Sequence, residues 1–233
     1  MKVKTFFASL ILLATTVTGF AQNSSFDKEL SAWHKKAVMT CGMIKSPEVS
    51  TKSEAISKNL TELNNEFEAL TQKYKANPPA EYKNDPIWTS YFDDLADNLT
   101  IIKNFADKKE YRIASKNCSV FCQTILRMHK NNGTVDITDM LFSLNMQMKL
   151  ATDISNAGNT KGSKESLDMI KKIMEHLSMK IKSASADVQA LYIPVEKNAQ
   201  DWIKAIEAGD AKTVKSLYAS FMPDFQKIFM ASM

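Results

Sequence analysis

"IKNFADKKEYRIASKNCSVFCQTIL", residues 102–126, decides the fold, because a second stretch further on repeats its plan. Each of its arms spaces apolar residues three and four apart, and the arms meet at a tight Asp-containing turn at 107–110. The stretch "IKAIEAGDAKTVKSLYASFMPDFQKIF", residues 203–229, has the same helix, turn and helix. With Asp107 set against Asp210, Cys118 falls on Phe221, Cys122 on Phe225 and Ile125 on Ile228. The offset of about 100 residues implies an internal repeat of four helices each.

Working outward, Gly42, Pro47, Pro78, Pro79, Pro86, Gly133, Gly158, Gly162, Pro194 and Gly209 fall at or near the edges of the stretches with helical spacing. The stretches between are rich in Ala, Leu, Lys, Glu and Met, and none alternates as a half-buried strand does. The spacing predicts helices over 25–43, 51–76, 86–107, 109–131, 135–157, 163–188, 190–208 and 210–231. Ser163 reads as an N-cap, with Leu167, Ile170, Met174, Leu177 and Ile181 as the buried stripe behind it. The fold class is all-α: up-down-up-down four-helix bundles, two in tandem over 22–133 and 134–233, with a single elongated bundle as the alternative.

The first 21 residues read as a leader. Lys2 and Lys4 precede a largely apolar run from Phe6 to Ala14, and Gly19 and Ala21 stand at the minus-three and minus-one positions of a cut after Ala21. The expectation is an exported protein, periplasmic or extracellular, with no later run long enough to insert into a membrane. Removing Lys2 and Lys4 from the 30 basic residues leaves 28 against 26 acidic, scattered rather than blocked. That excludes the concentrated basic stripe of a nucleic-acid binder and leaves a protein as the expected partner. No nucleophile elbow, Gly-rich phosphate loop or His-Glu-x-x-His motif is present, and an enzyme is not expected.

The chemistry concentrates on three cysteines and two histidines. Cys118, Cys122, Ile125 and His129 share one helical face, and His34, Val38 and Cys41 share another. If the first and fourth helices run antiparallel with level ends, Cys41 comes beside Cys118 and His34 beside Cys122. Three outcomes are open there. One is a disulfide from Cys41 to Cys118 or Cys122, which an oxidising compartment permits. The second is buried free thiols. The third is a soft-metal site for Cu(I) or Zn(II), with Cys41, Cys118, Cys122 and His34 as ligands.

In helix lengths, the Pro-rich connection "KANPPAEYKNDP" and the short "ADKKE" turn, residues 25–131 resemble the soluble four-helix cytochromes, cytochrome c prime and its periplasmic b-type relative. That family places Cys-x-x-Cys-His on the last helix. With its first Cys on Cys118, Phe121 occupies the second Cys position and Cys122 the His position, so a covalent c-type haem is not implied. A non-covalent b-type haem would take His129 near the end of the fourth helix, with Met128 beside it. His34 would be the second axial ligand, because the first helix has no Met near its start. Two functions follow: a cofactor-free, non-catalytic binding or interaction module, or a haem- or copper-binding protein for electron transfer or metal handling.

Overall fold

The structure is a computed structural model that describes residues 25–233, and all regular structure among them is helical. The expected leader, 1–21, lies outside the described residues. The helices are α1 (Ser25–Lys45), α2 (Ser53–Tyr74), α3 (Trp88–Asp107), α4 (Tyr111–Asn132), α5 (Ile137–Asn156), α6 (Thr160–Glu165), α7 (Leu167–Ile181), α8 (Ala186–Ala208) and α9 (Ala211–Ser232). Short 3-10 turns at Val49–Lys52 and Ala80–Tyr82 complete the connections. No helix among the described residues is long and apolar enough to cross a membrane.

In the first half α1 packs on α2 and α4, and α3 closes the ring by packing on the same two. Short loops and a closed ring make an up-down-up-down bundle. Trp33, in the middle of α1, fills its centre: its ring meets Phe67 at 4.9 Å and Phe121 at 5.4 Å, and its indole N–H donates to the Leu63 carbonyl at 2.9 Å. At the α1 start, Phe26 sits edge-on to Tyr74, Tyr82 and Trp88 at 5.0 to 5.4 Å. Each such ring contributes roughly 1.5–3 kcal/mol by leaving water, and edge contacts add to that.

The second half repeats the ring with α5, α7, α8 and α9. Its core holds Trp202, whose indole N–H donates to Thr152 Oγ1 at 3.0 Å. Along α9 the rings of Tyr218, Phe221, Phe225 and Phe229 stack in series. The two cores are not sealed from each other. Cys122 and Leu126 of α4 belong to the second core, and Val38 of α1 packs against it. The faces of α1 and α4 that turn away from their own bundle therefore meet α5 and α9.

Two boundaries differ from the sequence reading. Ser163 is not an N-cap: it is buried inside α6, where its hydroxyl donates to the Thr160 carbonyl, and Asn159 caps that helix through the Gly162 N–H. The stripe Leu167, Ile170, Met174, Leu177 and Ile181 is nevertheless buried. The break expected near 189 lies instead at 182–185, where Ser185 accepts from the Val188 N–H and starts α8, so Pro194 falls inside that helix. The cap decided the start, and Pro194, well past the first turn, did not stop the helix.

Candidate functional site

The antiparallel contact of α1 and α4 brings the chemistry-bearing residues together. Cys41 and Cys118 form a disulfide, with Cα atoms 5.8 Å apart. One helical turn along, His34 Nε2 and Cys122 Sγ lie 3.1 Å apart, hydrogen-bonded and buried. Burial pushes the His34 ring down to about 4 and the Cys122 thiol up to about 12. The pair is a neutral imidazole and a neutral thiol, which lacks the thiolate that a cysteine nucleophile needs.

The bridge corrects the four-ligand metal set. Cys41 and Cys118 spend their sulfurs on each other, and His34 with Cys122 alone makes no tetrahedral site. The haem reading does not fit the residues either. His34 and His129 line one cavity, but its volume is about 240 Å³, below the roughly 300–1,000 Å³ of ordinary ligand pockets. His34 Nε2 is committed to Cys122, Met128 is buried in the first core, and the bundle centre is filled by Trp33, Phe67, Phe92 and Phe121.

The same cavity sets His129 beside two carboxylates, Asp136 and Asp139, that no sequence motif marks. Gly133, left-handed at φ 70°, ends α4, and the Thr134 N–H returns to the His129 carbonyl at 2.9 Å. The chain then reverses, and Asp136 becomes the N-cap of α5. Its side chain accepts from the Asp139 N–H at 2.8 Å, while Asp139 Oδ2 accepts from the Asp136 N–H at 3.1 Å. This capping box faces the last turn of α4, so His129 Nδ1 donates to Asp139 Oδ2 at 2.6 Å. His129 Nε2, buried as well, has no hydrogen-bond partner.

Electrostatics there favour a cation. Burial opposes charge on the His129 ring, but its hydrogen bond to Asp139 and the charges of Asp139 and Asp136 outweigh it and hold the ring above the usual range. Burial, then the charge of Asp139, pushes Asp136 up to about 6. Two crowded carboxylates share one imidazole. The signal was present in "HKNNGTVDITD", residues 129–139, where Gly133 ends a helix and Asp-x-x-Asp opens the next. Read as a cap alone, it hides a cluster.

A larger groove lies where the two halves meet. It measures about 700 Å³ and is lined from α1, α4, α5 and α9. Phe142, Leu150, Met222 and Phe225 give it apolar walls, Cys122 lines it, and Lys45 and the Lys149–Asp153 ion pair add charge. Met146 and Leu150, also lining it, are 37% and 51% exposed, large for apolar side chains. No protein-family model, curated protein or solved structure matches the chain.

Proposed function

We propose that the chain is an exported, non-catalytic helical module that binds a small amphipathic anion, an apolar body with one acidic group, in the groove between the two halves. The groove carries this reading. Its volume of about 700 Å³ lies within the range of small-molecule sites, and apolar walls with a few polar groups are the usual lining. Lys45 supplies the charge complement, and its field already reaches Cys122 across the groove. A cofactor-free reading accords with the ring-filled first bundle, whose loop pattern resembles the four-helix cytochromes. Export accords with the Cys41–Cys118 bridge, since such bonds persist in oxidising compartments.

The test is calorimetric titration of the purified chain with dodecanoate, a probe with an apolar chain and one carboxylate. Saturable binding near one per chain is expected. Leu150→Asp, at a half-exposed wall position, should weaken it at least ten-fold with an unchanged melting temperature, and Lys45→Glu should weaken dodecanoate more than dodecanol. Absence of binding, or indifference to Leu150→Asp, overturns the reading.

A further inference from the structure

We propose that the outward seam between α3 and α4 holds a binding site for a neutral saccharide, with Asn98 and Thr124 at its floor. Both residues line a groove of about 470 Å³ between the two helices. Asp94, one turn before Asn98, pairs with Arg127 of α4 across the seam, and Ile101 and Val120 lie one turn the other way.

The floor itself points to a ligand. Asn98 is 4% exposed and Thr124 5%, yet Asn98 Nδ2 has no hydrogen-bond partner among the described residues. Buried amides are nearly always partnered, and leaving one unmet is unfavourable. A seam between packed helices is better served by an apolar pair, so the fold gains nothing from this amide. The last bond of the side chain is a soft torsion, about which the amide turns to offer its N–H to an acceptor in the groove.

The lining selects the class of ligand. Asp94 and Asp97 outnumber the single guanidinium of Arg127, which is already paired, so an anion is repelled. A cation would meet amide N–H groups at the floor rather than ligand atoms. No aromatic side chain lines the groove among the described residues, which disfavours a flat apolar molecule. A molecule that both donates and accepts at closely spaced hydroxyls fits: it donates to the Asp97 carboxylate and accepts from the Asn98 amide. Ile101, 41% exposed, offers an apolar surface to the C–H face of a sugar ring. The volume lies within the range of small-molecule sites and has room for a disaccharide. Helix α4 separates this groove from the one between the two halves, with Gln123 bordering both, so the two readings stand or fall separately.

The experiment follows the side-chain amide signals of the ¹⁵N-labelled chain, disulfide intact, while maltose or N,N′-diacetylchitobiose is added at millimolar concentration. Saturable binding of at least one disaccharide is expected, with the Asn98 side-chain amide among the signals that move most. Asn98→Leu, close in volume, should abolish binding and leave the melting temperature equal or higher, because an apolar group replaces an unmet amide. Asp97→Ala, at an exposed position, should weaken binding about ten-fold, as loss of one hydrogen bond to a charged group does. Failure of both disaccharides to bind, binding that survives Asn98→Leu, or an Asn98 amide that stays unmoved would overturn the proposal. Inorganic phosphate moving that signal as the sugars do would overturn it too. If Asn98→Leu does not fold, unchanged binding by Asp97→Ala overturns it instead. Disaccharide binding without dodecanoate binding would leave this site standing and remove the reading of the groove between the halves.

Discussion

His34 is a buried base with no charge to offer, and that has a measurable consequence. In the unfolded chain it titrates near 6.5, whereas burial lowers it to about 4 in the fold. Between those values the unfolded state binds more protons, so stability rises with pH, is complete above about 6.5 and is lost as pH falls toward 4. The loss at pH 4.5 relative to pH 7.5 should be about 2–3 kcal/mol from this ring. Urea unfolding at both pH values should show the wild type losing that much more than His34→Gln; equal losses would refute it. The pairing of His34 with Cys122 was legible from the sequence because antiparallel helices of similar length fix which turns meet. The choice of Cys118 over Cys122 as the partner of Cys41 was not, since both lie on one face of α4 and a single turn separates them. Asp136 and Asp139 went unread for another reason: acidic residues at a helix start are explained by capping before any ligand is considered.

At the level of helices, two glycines with opposite duties can be told apart. Gly42 lies within α1 in ordinary helical conformation, with nothing within 4 Å of where a Cβ would stand. Gly209 ends α8 at φ 75°, and a Cβ there would stand 3.1 Å from Thr160 Cγ2. Gly42→Ala should therefore raise stability by roughly 0.5–1 kcal/mol, and Gly209→Ala should lower it by about 1 kcal/mol or more. Denaturant midpoints of the two variants, moving in opposite directions, check the assignment; movement in the same direction contradicts it. The existence of the eight longer helices was readable because apolar spacing survives wherever a stripe is buried, as Leu167 to Ile181 shows. Boundaries were not. Pro194 invited a break that Ser185 had already made, and α6 is too short to leave a periodic trace.

Across the whole molecule, Cys41–Cys118 spans 77 residues and joins the first helix of its bundle to the last. Closing so long a loop in the unfolded chain should contribute about 2–4 kcal/mol. Thermal unfolding with and without reductant, or of Cys41→Ala paired with Cys118→Ala, should show that loss with helical content retained at low temperature. An unchanged midpoint would mean that the four helices hold themselves. The all-helical architecture was legible in the breakers and periodicity, but the meeting of the halves was not. Val38 and Cys122 read as the interior of the first bundle, yet they pack toward the second with Leu126, because a sequence stripe says that a face is covered and not by which neighbour. The bridge also sets how the chain answers to tension. Pulled from its ends, the oxidised protein carries force across the sulfur bond and around the enclosed segment, so α2 and α3 feel no direct load. About 270 Å of contour stays withheld at full extension, and the reduced chain would release it.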